Sequence, residues 1–182
     1  MTDRRIFTRT LAALMLPLLV ASGGAAIAAR GGMDEETGFL GRFTSDWKGA
    51  GQVRRTADGD PWKVNCAISQ SHDGNRIALD GSCRAALLFT REIGAHLVFN
   101  PKTGLYTGTY VGAKVGPAAL SGRRNGDSLQ LTITWPKAVN GDTKAALTIR
   151  NEGKGRMQIL VQDQLDGRTI TTTDILFQRK AG

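Results

Sequence analysis

The sequence predicts an all-β protein: an antiparallel up-and-down barrel of about 8–10 short strands, with a two-sheet sandwich as the runner-up. Three observations predict it. After about residue 45 there is no long 3.6-residue periodicity, while alternation of apolar and polar residues recurs many times. Turn signals separate the alternating runs, at Asp58-Gly59, Asp73-Gly74-Asn75, residues 100–104, Asn125-Gly126, Asn140-Gly141, Glu152-Gly153 and Asp166-Gly167. The only two cysteines, Cys66 and Cys83, flank one of those turns. Consecutive antiparallel strands without helical crossovers leave two unpaired edges unless the sheet closes on itself, which favours the barrel.

The first element, residues 1–28, reads as a secretory leader. Arg4, Arg5 and Arg9 form a positive start, residues 11–20 are almost uncharged and apolar, and Ala26-Ile27-Ala28 is the small-x-small pattern a signal peptidase cuts after. Pro17 and the Ser22-Gly23-Gly24 break leave the run short of the roughly 20 residues a spanning helix needs, so no membrane anchor is expected after cleavage. Arg4-Arg5-Ile6-Phe7 also resembles a twin-arginine signal, but Asp3 and Thr8 depart from that pattern, so a Sec leader is preferred. The expected location is periplasmic or secreted. Cleavage removes three arginines and one aspartate, taking the net charge from +8 to +6. The remaining basic balance favours anionic envelope components as partners. No basic block longer than two residues lies outside the leader, so specific nucleic-acid binding is not expected.

Residues 29–45 form a linker with one short helix expected over 33–45. Asp34, Glu35 and Glu36 suit a helix N-terminus, and Phe39, Leu40 and Phe43 stand at helical spacing. Such a helix can plug one barrel end. Residues 46–180 form the single β domain.

In the first strand Trp47, Gly49, Gly51 and Val53 share a face, the glycines allowing close strand approach. The next two strands form a hairpin whose register the cysteines select. A turn on Gly74-Asn75 sets Asp73 opposite Arg76 and Cys66 opposite Cys83 in a non-hydrogen-bonded pair, compatible with a disulfide. In an exported chain that bridge is expected, contributing about 3 kcal/mol in the chain-entropy model. The same parity turns Trp62, Val64, Ile68, Ile77, Leu79 and Gly81 inwards. Farther on, Leu129, Leu131, Ile133 and Trp135 alternate with polar residues, as do Met157, Ile159 and Val161 less cleanly.

Trp47-x-Gly49-x-Gly51-x-Val53 resembles the opening of lipocalin-like (calycin-type) barrels. With Cys66, Cys83, Leu120-Ser121-Gly122-Arg123 and Asp127-Ser128-Leu129, residues 46–179 are similar to small exported alphaproteobacterial β-barrel proteins of unassigned function. The resemblance implies that Trp47, Gly49 and Gly51, with Trp62, are barrel-closing residues. It also implies interior or rim binding, with no catalytic residues. Haem-binding barrels of this kind use a histidine near the C-terminus, and residues 170–180 contain none.

The residues offer little chemistry. His72 adjoins a turn, and His96 lies in an alternating strand over 93–99. Neither accompanies a nucleophile motif, and no phosphate loop, Gly-x-Ser-x-Gly elbow or zinc motif occurs. No catalytic residue, metal site or cofactor is expected, and the protein is read as a non-enzyme. Asp58, Asp60, Asp73, Asp127, Asp142 and Asp166 serve turns. Asp174 is exposed if Ile175 and Phe177 point inwards. In a meander alternate turns share a rim, so Arg76, Lys102, Arg123, Arg124, Arg150, Lys154 and Arg156 gather at one end as a candidate anion-binding surface. The opposite rim mixes eight basic residues with six acidic ones, Asp163 among them.

The favoured function is a binding barrel with a small apolar ligand inside or an anionic envelope polymer at the basic rim. The alternatives are an inhibitor of an exported protease, for which residues 111–117 and 136–140 would have to protrude, and a purely structural envelope protein. Whether the barrel is hollow, and its oligomeric state, stay open.

Overall fold

The computed structural model describes residues 24–56, 58–86 and 89–180, with side chains from Met33 onward. One helix, α1 (Gly24–Gly41), precedes ten strands: β1 (Asp46–Val53), β2 (Trp62–Asp73), β3 (Arg76–Ala85), β4 (Phe89–Asn100), β5 (Leu105–Val111), β6 (Ala118–Asn125), β7 (Ser128–Val139), β8 (Asp142–Asn151), β9 (Arg156–Leu165) and β10 (Arg168–Arg179). Each strand pairs antiparallel with its sequence neighbour, and β1 pairs with β10, so the sheet is a closed barrel with no free edge. The sandwich is thereby excluded.

The hairpin turns follow from their residues. Asn140-Gly141 and Asp166-Gly167 both carry positive φ at the two central positions, the mirror-image turn whose twist matches the strands. Across the Gly74-Asn75 turn, Asp73 faces Arg76 and Cys66 faces Cys83, with Cα atoms 4.0 Å apart and the sulfurs bonded. Alternation sets the inward face: Val64, Cys66 and Ile68 on β2, Ile77 and Leu79 on β3, and Leu129, Leu131, Ile133 and Trp135 on β7 are buried. Ile175 and Phe177 are also inward, leaving Asp174 exposed and bonded to Gln158 Nε2 at 2.7 Å.

The helix differs from expectation. It ends at Gly41 and begins at Gly24, so Asp34, Glu35 and Glu36 lie in its interior and not at its start. Alanines at 25, 26, 28 and 29 carry strong helix propensity and extend it backwards. The leader reading falls largely on residues outside the described ones, and its Ala26-Ile27-Ala28 segment lies within α1. No described helix is long and apolar enough to cross a membrane.

From α1, Phe39 and Leu40, followed by Phe43 just beyond it, drop into one barrel end beside Trp47 and are almost completely buried. Full burial of each such side chain contributes about 1.5–3 kcal/mol. The carbonyls after the helix are capped from the barrel: Trp47 Nε1 donates to Phe43 O at 2.8 Å, and Asn151 Nδ2 donates to Arg42 O at 3.1 Å. At Gly49 the Phe177 ring lies where a Cβ would stand, and at Gly51 the Asp174 carbonyl does, so β1 and β10 approach as only glycine permits.

Candidate ligand cavity and its mouth

The plugged end carries the turns β2–β3, β4–β5, β6–β7 and β8–β9, together with the basic rim read from the sequence. One of those cations, Arg124, is occupied in holding the plug, and two others bond to neighbouring turns. Arg124 Nε donates to Glu36 Oε2 at 3.0 Å, its Nη2 to Glu35, and its guanidinium lies 5.0 Å from the Phe39 ring centre. Tyr106, buried, donates its hydroxyl to Glu36. Burial raises the Tyr106 phenol, and the bond to Glu36 and its charge raise it further. Burial pulls Arg124 down, but its contacts with Glu35 and Glu36 outweigh this and hold it above its usual value. Arg123 donates to Thr103 O at 2.7 Å and Arg150 pairs with Glu152 at 2.7 Å. Arg76, Lys102, Lys154 and Arg156 are exposed around this end.

The opposite end is open. Behind it lies a cavity of about 1040 Å³. Its wall is mainly apolar, with Val64, Ile68, Leu79, Leu147, Ile149, Ile159, Val161 and Ile175 facing inwards. Leu97, Leu129 and Met157 are buried residues outside that lining, so the barrel is filled at one end and hollow at the other. A shallower depression of about 440 Å³ lies on the β3–β5 wall near Ser71 and His96.

Two irregularities shape the mouth. Between Thr134 and Val139 the β7–β8 register shifts, at Pro136, whose ring has no N–H to give a ladder. The hairpin tip folds inwards, and Ala138, Val139 and Asn140 line the cavity. On β10 a shift between Thr171 and Thr173 brings Thr172 into the wall. Residues 112–115 also line the cavity, with Ala113 and Val115 against the core. Both loops proposed as protruding thus contribute to the cavity lining, although Val111, Pro117, Pro136 and Lys137 are exposed.

The charged residues lining this end are Arg54, Arg55, Arg91, Lys114, Asp60 and Asp163, four positive against two negative. Arg54 donates to Gly59 O at 2.5 Å, and Arg91 reaches across the mouth to Gly112 O at 3.2 Å. Trp62 stands here, opposite Val53, and thus at the other end of the barrel from Trp47, because β1 runs the full wall between them. Arg55 lies 5.0 Å from the Trp62 ring, whose other neighbour is Phe89 at 5.8 Å. Phe89 is 59% exposed, an apolar residue on the rim.

Beside Asn140 and Thr172, the polar groups of Tyr110, Trp135 and Asp163 stand at the cavity wall. Tyr110 packs edge-on against Trp135, ring centres 5.7 Å apart, and burial raises its phenol. Trp135 Nε1 is buried without a hydrogen-bond partner among the described residues. Asp163, 3% exposed, accepts a 2.6 Å bond from Asn140 Nδ2 on Oδ2, while Oδ1 is buried and unbonded. Burial raises the Asp163 carboxyl, the Asn140 bond opposes this, and nearby Asp142 adds to it. Asp163, which the sequence places on the mixed rim, is buried in the wall instead. The signal for its true place is parity: Met157, Ile159, Val161 and Asp163 alternate along one face of β9.

The two histidines stand outside the cavity lining. His72 bonds Gly74 O at 2.9 Å, and the exposed His96 pairs with Asp80 at 2.7 Å on the outer wall.

No family model and no curated protein matches the chain. Among solved structures it is similar to the crystal structure of Rv2717c from M. tuberculosis, with a TM-score of 0.62 and 16% identity over 78% of this chain and 95% of that one. At that identity the likeness is one of fold, a β-barrel.

Proposed function

We propose that this chain is a non-catalytic binding barrel, exported to an oxidising compartment, that encloses a small molecule with an apolar body. One observation carries the reading: a one-ended, mainly apolar cavity of about 1040 Å³ inside a closed barrel, large enough to surround a ligand of ordinary size. The disulfide between Cys66 and Cys83 supports the compartment, since such bonds persist where thiols are not kept reduced. The inhibitor alternative loses support because both loops named for it help line the cavity. The anionic-polymer alternative is weakened by the use of Arg124, Arg123 and Arg150 within the plugged end.

Native mass spectrometry of protein expressed with its own leader tests this. The expected result is added mass that leaves on denaturation, together with saturable binding of an environment-sensitive apolar dye. Replacing Ala95, which lines the cavity, by Trp should abolish both. A bare chain that binds no dye would overturn the proposal.

A further inference from the structure

Resting on that reading, a second step concerns the chemistry of what is held. Two buried polar atoms of the cavity wall lack hydrogen-bond partners among the described residues, Asp163 Oδ1 and Trp135 Nε1. Their residues are 3% and 8% exposed. Buried polar groups are ordinarily paired, so both atoms are candidates for bonds to something that is not the protein. Their senses are complementary. An indole N–H can only donate, and an ionised carboxylate can only accept.

Their placement is built by the fold. Trp135 ends the inward row of β7 and is buttressed by Tyr110. Asp163 ends the inward row of β9 and is oriented by Asn140, from the folded tip of the β7–β8 hairpin. Strand β8 lies between them. Among the described residues no salt bridge reaches Asp163, although Arg54, Arg55, Arg91 and Lys114 line the same cavity. Asp142 adds negative potential near it. An anionic head placed at Asp163 would meet like charge, whereas a neutral donor would complete its bonding.

We infer that the ligand is an apolar molecule carrying a hydrogen-bond donor, such as a hydroxyl or an amide, which it gives to Asp163, and an oxygen acceptor within reach of Trp135. Recognition occurs inside the wall and not through the basic mouth.

Fluorescence titration with pyrenemethanol, methylpyrene and pyrenecarboxylate separates the cases, because the first two differ by one hydroxyl and the third adds a negative charge. Wild-type protein should bind pyrenemethanol about tenfold more tightly than methylpyrene. Asp163→Leu should bring that ratio close to one. Trp135→Phe, which keeps a ring against Tyr110, should lower the ratio by about threefold, and it decides the question if Asp163→Leu does not fold. Equal wild-type affinities for pyrenemethanol and methylpyrene would overturn the inference. So would tightest binding of pyrenecarboxylate that is insensitive to Asp163→Leu. If none of the three probes binds, the binding reading itself fails and takes this inference with it.

Discussion

Each end of the barrel holds a buried carboxylate, and the two are treated in opposite ways. Glu36, 6% exposed, receives Tyr106 on one oxygen and Arg124 on the other. Asp163 has Asn140 on one oxygen and no described residue on the other. A carboxylate whose bonds are completed by the protein holds the protein together. One left incomplete in a hollow costs stability in the folded chain, and the natural reading of that cost is function. The surroundings agree: aromatic side chains fill the space around Glu36, while Asp163 looks into a cavity.

The sharpest way to break the comparison is to remove apolar bulk at each end. Phe39→Ala should cost about 4 kcal/mol, because it empties a packed site. Ile159→Ala, at the cavity wall, should cost about 1 kcal/mol, since one side of that residue already lacks contacts. Urea unfolding of both variants gives the ratio, and equal costs would show that the mouth half is filled. The next test is electrostatic. Glu36→Leu should cost about 3 kcal/mol by leaving Arg124 Nε and the buried Tyr106 hydroxyl without their acceptor, and Glu35→Ala, at an exposed position, below about 0.5 kcal/mol.

A third effect has the opposite sign. Burial raises the Asp163 carboxyl in the folded chain above its unfolded value. Its stabilising contribution is therefore complete below the ordinary aspartate range and is lost as pH rises through the raised folded value. Asp163→Asn should stabilise the protein by about 1 kcal/mol near pH 7, and thermal unfolding should show that gain fading by about pH 3. A destabilised variant at neutral pH would mean that the carboxylate is structurally satisfied after all.

The barrel was legible because its determinants are local. Two-residue alternation sets the inward face, Asn-Gly and Asp-Gly set tight turns, and Cys66 with Cys83 sets one register to the residue. The cavity was not legible, because it depends on how far side chains reach across a closed sheet and on which end α1 fills. Trp135 shows the limit well. Its inward direction follows from parity with Ile133, whereas the missing partner of its indole follows only from the three-dimensional surroundings. Glu36 was read as a helix-start residue, although its spacing to Phe39 and Leu40 places it on the apolar face of the helix. Asp163 shares the parity of Val161, and its charge concealed it.

With α1 seated in one end, the barrel is a container and not a conduit. If the proposed ligand enters past the rim at Trp62 and Phe89, the described residues leave it no second exit at the plugged end, so filling and emptying would compete for the same door.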